Sequence, residues 1–241
     1  MLVTIQNNQL TFTDGRFYFD EGKNFYPSVT TILEAYPKPY QLMQWMKEQG
    51  DNADKIRDAA GKRGSTVHQL TDEYDNGLEC SLIGENGHPR YSLEEWGMFE
   101  KYVDFTTRSE VTHQLIEQNI VSSKLGYAGT LDRVCVIKGV KYLLDIKTSN
   151  GVYNSYWLQL AAYRELLKQI NQEVDAVAVL WLNAKTRTVK ENQGVGWQLL
   201  TKEDTSKDLL LFNATKLLWQ EEHEGDKPKE FSYHLIYKRG A

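Results

Sequence analysis

The sequence predicts an α/β protein with a mixed central β-sheet flanked by helices and an N-terminal helical block. Three observations carry this. Two runs rich in β-branched and aromatic residues, 127–137 and 140–147, flank Lys138-Gly139, which reads as a hairpin closed by a two-residue turn. A helical stretch over about 153–170 is followed by the strongly apolar run Val174 to Leu182, read as a further strand. Residues 28–108 read as helices separated by short turns. With 241 residues and no Pro- or Ser-rich linker, one elaborated domain is expected over 1–241. It divides into an accessory β meander (1–27), the helical block (28–108), a core (109–182) and a C-terminal scaffold (183–241).

The meander rests on apolar runs at 2–5, 10–13 and 17–19, punctuated by Asn7-Asn8 and Asp14-Gly15. Ser28 is placed to cap a short helix to about Ala35, which Pro37 and Pro39 end; Tyr40 to Gln49 forms another. Residues 51–76 are helical at least from Gly64, with Val67, Leu70 and Tyr74 on one side and His68 beside that stripe. Residues 76–90 have turn composition, and Ser92 starts a helix to about Arg108. Beyond the core, Thr186 to Lys190 with Trp197 to Leu199 reads as an edge hairpin, Thr201 to about Glu222 as an amphipathic helix, and Phe231 to Tyr237 as a last strand. The charged run 221–227 is read as a solvated helix end.

Counting back from the turn pairs Ile137 with Val140, Val136 with Lys141, and Asp132 with Asp145. Cross-strand partners share a face with β-carbons about 5 Å apart, and Lys147 shares that face by alternation. Arg133 is expected on the opposite one. Two facing carboxylates in an otherwise apolar hairpin repel each other. An even loop centred on Lys124-Leu125 would add Glu117 opposite Asp132, making a row of three acids. A hard divalent cation offsets such repulsion; a plain salt bridge from Asp132 to Arg133 or Lys147 is the alternative. His68 reads either as a packed core histidine or as a ligand, and Gln159 with Tyr163, four apart on one helix face, either as ordinary interfacial residues or as part of a site.

Gly129-Thr130-Leu131-Asp132-Arg133, Leu144-Asp145-Ile146-Lys147-Thr148-Ser149 and Gln159-Leu160-Ala161-Ala162-Tyr163 resemble the successive motifs of the PD-(D/E)XK nuclease superfamily, in its RecB-type branch. Upstream, the run from Gly61 to His68 resembles the glycine-led helix that delivers a histidine to the metal in that branch. With Pro27 to Leu33, these features are similar to the mitochondrial genome-maintenance exonucleases and their phage relatives. The resemblance covers about residues 27–165. It implies a restriction-endonuclease-like core in which Asp132, Asp145 and Lys147 are catalytic. Asp132, Asp145 and the Ile146 carbonyl would hold Mg²⁺ or Mn²⁺, with Glu117 and His68 completing that site or a second one. Lys62, Arg63, Thr148, Ser149, Gln159 and Tyr163 would contact nucleic acid. The expected function is a metal-dependent DNA exonuclease acting on single-stranded DNA or free ends, with a helicase or recombinase partner and the oligomeric state left open.

A net charge of −5 taken alone argues against a bulk nucleic-acid binder, but the argument is partly offset because bound cations would cancel a cluster of acids and Lys62, Arg63 and Lys124 could line a phosphate track. Two distant cysteines, Cys80 and Cys135, exclude the four-cysteine iron-sulfur cluster of some RecB-type nucleases. No run approaches 18 apolar residues, and the N-terminus lacks a signal-length apolar core, so no membrane partner is expected and the location is cytoplasmic, in a bacterium or phage-infected host. Two other classes compete: a catalytically silent nucleic-acid-binding or assembly protein on a nuclease scaffold, and a metal-dependent enzyme acting on another phosphate or a small molecule; within the nuclease reading the alternative is an endonuclease with an open cleft.

Overall fold

The computed structural model describes residues 3–6, 9–13, 17–20, 22, 24–225 and 228–237, the first two segments by backbone alone. A six-stranded mixed sheet lies at its centre, built from β5 (Thr112–Ser122), β6 (Tyr127–Ile137), β7 (Val140–Lys147), β8 (Ala176–Trp181), β9 (Gln193–Gly194) and β10 (Trp197–Lys202) in the order β5-β6-β7-β8-β10-β9. β7 and β8 run parallel, joined by helix α5 (Asn154–Gln169), and the other pairings are antiparallel. This is the architecture expected of a restriction-endonuclease-like core.

Helices cover both faces. On one, α1 (Val29–Ile32), α5 and α6 (Ser206–Glu222) pack with Val134, Leu143, Val177 and Val179. Ser28 caps α1 through its hydroxyl, which accepts from the Thr31 N–H, and a 3₁₀ turn follows over Leu33–Ala35. On the other face, α3 (Asn52–Asp75) and α4 (Leu93–Ser109) pack through Val67, Met98, Tyr102 and Phe105 onto Cys135, Leu144, Ile146 and Leu180. Ser92 and Glu95 form a capping box on α4, which satisfies two of the helix's free amides. α2 (Tyr40–Gln49) buries no residue fully. The helical block is therefore in large part a layer laid on the sheet.

The central hairpin has the register obtained by counting, from Ile137↔Val140 to Arg133↔Leu144. Its turn residues Lys138 (φ 50°) and Gly139 (φ 83°) are both left-handed, the conformation that lets a two-residue turn follow strand twist. Several expectations need correction. The N-terminal strands form only the first hairpin of a meander: β1 (Val3–Gln6) pairs with β2 (Gln9–Thr13), whose other neighbour is β11 (Glu230–His234), whereas β3 (Phe17–Phe19) pairs with β4 (Phe25–Pro27). The turns at Asn7-Asn8 and Asp14-Gly15, and Asp226-Lys227, lie outside the described residues. Residues 186–190 form no strand; the partner of β10 on that side is β9, and β10 itself is interior to the sheet and runs on to Lys202, so α6 starts at Ser206 rather than Thr201. Nor is α6 amphipathic, since leucines also occupy its exposed side.

The largest correction concerns Arg133. Leu131 and Val134, three residues apart, both join the core on the α5 side, whereas Asp132 and Arg133 both reach α3. Alternation therefore slips by one residue at Asp132. β5 slips at the same level: Gln118 pairs with Leu131 and Ile116 with Arg133, and Glu117 between them has a left-handed φ of 47°. Because each strand carries one residue out of the pleat, the register is the same on both sides of the slip. Such backbone costs a non-glycine residue about 1–3 kcal/mol and persists only where surrounding contacts enforce it.

Candidate functional site

The slip opens a cavity of about 490 Å³ between β5, β6, β7, α3 and α5. His68, Glu117, Asp132, Asp145, Lys147, Gln159 and Tyr163 all line it, together with Thr30, Gly64, Gln69, Asp72 and Thr130. Each is there for a local reason. The slip turns Glu117 and Asp132 inward. Asp145 and Lys147 alternate with the core residues Leu144 and Ile146 at the end of β7. Gln159 and Tyr163 come from one face of α5, drawn close to β6 because residue 129 is glycine; a β-carbon there would run into the Tyr163 ring. Gly64 does the same for α3, where a β-carbon would sit 3.2 Å from Thr148 Oγ1.

Ligand atoms of His68, Glu117 and Asp132 lie within 4.8 Å of one another. Asp132 Oδ2 accepts the Ile146 N–H at 2.8 Å and lies 3.6 Å from His68 Nδ1. His68 Nε2 lies 3.0 Å from the Ile146 carbonyl oxygen, the length of a hydrogen bond and also about the spacing of adjacent ligands around an octahedral ion with ~2.1 Å bonds. An imidazole, two carboxylates and a main-chain carbonyl thus converge. This donor set fits a divalent cation of the Mg²⁺ or Mn²⁺ kind, with the nitrogen favouring the latter. Burial pushes the Glu117 carboxyl up to about 7, with Asp132 and Asp72 adding to the rise. Protonation thus relieves here the crowding that a cation would relieve by coordination.

Asp145 is buried, with Oδ2 2.8 Å from Lys147 Nζ. Burial pushes its carboxyl above the usual range against the pull of the Lys147 ammonium. For Lys147, burial lowers the value but Asp145 and Asp132 outweigh it, so the cation is held firmly. Nζ also donates to Gln159 Oε1 at 3.1 Å and lies 4.7 Å from the Tyr156 ring centre, and Gln159 Nε2 donates to the Tyr163 hydroxyl at 3.2 Å. The two halves of the expected acid row therefore differ: Glu117 and Asp132 face His68, while Asp145 is already engaged by lysine.

Behind the acids lies a second cluster. Arg133, fully buried, donates from Nε to Asp75 Oδ2 at 2.6 Å, from Nη2 to Asp72 Oδ1 at 2.5 Å and Thr71 Oγ1 at 3.2 Å, and from Nη1 to the Asp132 carbonyl at 2.7 Å. Its Nη1 is 3.8 Å from Glu117 Oε1. Asp75 also accepts from the Tyr102 hydroxyl and lies 3.2 Å from His113 Nε2. Burial raises Asp75, but these hydrogen bonds and Arg133 outweigh it and hold the carboxyl low; at Asp72 burial prevails and the value is raised. Sequence reasoning missed Asp72 and Asp75. Their spacing from His68, four and seven residues along one helix face, was the available signal.

The remaining residues expected to touch nucleic acid are not all in this cavity. Thr148 is buried at its edge. Arg63 and Ser149 line a neighbouring cavity of about 600 Å³ with Trp45 and Tyr153, and Arg63 is paired with Glu94 at 3.3 Å. Lys62 is exposed and lines neither. Among the described residues no helix is long and apolar enough to cross a membrane, and Cys80 and Cys135 are both free thiols.

No family model matches this chain, and no curated protein matches it. Among solved structures it is similar to SSO0001, at 12% identity and a TM-score of 0.30 over 55% of this chain and 59% of the other. It is also similar to a candidate exonuclease from Eubacterium rectale, at 14% identity and a TM-score of 0.41 over 67% and 68%. The chain thus spans less than two thirds of the first and about two thirds of the second.

Proposed function

We propose that this chain is a divalent-metal-dependent deoxyribonuclease that hydrolyses phosphodiester bonds, working as an exonuclease on single-stranded DNA or free ends. The observation that carries the reading is the convergence of His68, Glu117 and Asp132 within 4.8 Å, in a cavity that also holds the Asp145–Lys147 pair. The motif order that resembles the RecB-type nucleases supports it.

Glu117, Asp132 and His68, with Asp145 and the Ile146 carbonyl, would hold Mg²⁺ or Mn²⁺, which when bound polarises a phosphoryl oxygen and makes water a better nucleophile. Lys147, kept cationic by Asp145 and aimed by Gln159, orients the attacking water and stabilises negative charge developing on the phosphoryl oxygens. Gln159 and Tyr163, hydrogen-bonded to each other, position the strand beside Lys147, and holding reacting groups near attack geometry supplies a large part of such catalysis. Arg133, through the Asp132 main chain and its contact with Glu117, fixes where the acids point. A silent scaffold would have lost Asp132, Asp145 or Lys147, and all three are present.

A second reading, an endonuclease with an open cleft, draws support from α3 and α4 being packed as a layer on the sheet, with α3 forming one wall of the cavity. End-labelled linear and covalently closed circular single-stranded DNA, incubated at low salt with Mg²⁺ or Mn²⁺, separate the two. Degradation of the linear strand with circles spared is the expected result. Equal rates favour the open cleft, and no metal-dependent cleavage of either substrate ends the nuclease reading.

A further inference from the structure

On the side of α6 opposite its buried stripe (Asp208, Phe212, Thr215, Trp219) lies a second apolar stripe that is exposed, with no packing partner among the described residues. Leu210 is 68% exposed, Leu211 37%, Leu217 63% and Leu218 56%, and Ala214 between them is exposed as well. Helix geometry, at 100° per residue, gathers these five residues into an arc of about 120°. Exposed apolar surface so concentrated on a single helix marks an association site.

The spacing identifies the occupant. Measured from Ala214, leucines stand at −4, −3, +3 and +4, Lys207 at −7 and Glu221 at +7. The apolar pattern is unchanged when the helix direction is reversed, and the charges at its ends exchange sign. A stripe of this kind is complementary to its own antiparallel copy. About a two-fold axis at Ala214, Leu210 and Leu211 of one chain meet Leu218 and Leu217 of the other, and Lys207 meets Glu221 twice. Both charged residues are exposed, and among the described residues neither has an ion-pair partner. The small side chain at the centre lets the axes approach to the short end of the 8–10 Å range for packed helices. Antiparallel alignment also sets each helix N-terminus beside the other's C-terminus, the favourable arrangement of helix dipoles.

We infer that α6 is the interface of a symmetric homodimer, formed by antiparallel pairing of the Lys207–Glu221 face with the same face of a second copy. A single helix pair covers less than the roughly 1,600 Å² of a standard interface, so the dimer belongs to the weak, concentration-dependent class. It stands apart from the catalytic cavity and does not depend on the nuclease reading.

Sedimentation of the full chain over roughly 1–300 μM, the range of weak association, tests this. The weight-average mass should rise from one chain toward two and no further. Lys207→Glu and Glu221→Lys should each weaken association by about fivefold or more, the range of exposed charge pairs met twice, and the double exchange should restore it to within about twofold of the parent. Leu217→Glu should give a monomer with an unchanged melting temperature. Should that variant fold poorly, Ala214→Cys in a Cys80→Ser background replaces it: the axis position should cross-link between chains under mild oxidation and Asn213→Cys should not. A parent that stays monomeric throughout overturns the proposal. So do species larger than two chains, a double exchange no better than the single ones, or equal cross-linking at 213 and 214.

Discussion

Two clusters of carboxylates and cations lie on either side of Asp132 and respond differently to burial. In the Arg133 cluster each of the three guanidinium nitrogens has an acceptor, and Asp75 is held low by its hydrogen bonds. In the cavity, a single lysine faces Asp145, Asp132 and Glu117, and burial pushes both Asp145 and Glu117 up. The closed cluster holds the backbone slip in place. The open cluster, with surplus negative charge and converging oxygen and nitrogen atoms, is left to accept a cation. Counting charges alone would not separate them; counting satisfied donors and acceptors does.

The sharpest way to break the comparison is Arg133→Met. Removing the cation leaves Asp72 and Asp75 buried without their partner, which costs about 3–5 kcal/mol. Chemical denaturation should show that loss with and without metal. A loss under about 1 kcal/mol would mean that the cluster does not hold the slip.

A smaller effect is expected where the two halves of the site are joined. Gly129→Ala forces the Tyr163 ring away from β6, a cost of about 1–3 kcal/mol for overpacking. The displacement travels through Gln159 to Lys147, so turnover on DNA should fall more than metal affinity does. Metal affinity falling as far as turnover would place the damage at the acids instead.

The smallest effect sharpens the contrast by pH. Glu117 has a folded-state value near 7 against an ordinary 4.5, and Asp145 and Asp72 are also raised. The native state therefore binds more protons than the unfolded chain between about pH 4.5 and 7, and stability without metal falls as pH rises through that window. Asp75 is shifted the other way and acts only below about 3.8, outside it. Saturating Mn²⁺ should reverse the slope, because its ligands must be deprotonated. Melting curves from pH 5 to 8, with and without Mn²⁺, check both signs.

Much of this was legible in the sequence where one local rule governs. The two-residue turn fixes the β6–β7 register, so Asp132 and Asp145 could be brought to one level by counting, and Ser28 and Ser92 mark their helix starts. Arg133 was not legible, because matched slips in β5 and β6 leave the register unchanged and reverse only the faces. The pairing of β11 with β2 and of β9 with β10 was hidden for another reason. Pairing between distant or very short strands leaves no periodic signal.

The account stands on Asp132 as the residue shared by both clusters, its main-chain carbonyl accepting from Arg133 and its side chain facing His68 and Glu117. Calorimetric titration of Mn²⁺ at pH 7.5 into the parent and Asp132→Asn tests that directly. The amide can still accept the Ile146 N–H, so the metal-free melting temperature should stay at or above the parent's, while Mn²⁺ affinity should drop by about tenfold or more for the lost charge. Equal Mn²⁺ affinity in the two proteins would contradict the assignment of this cavity as a metal site.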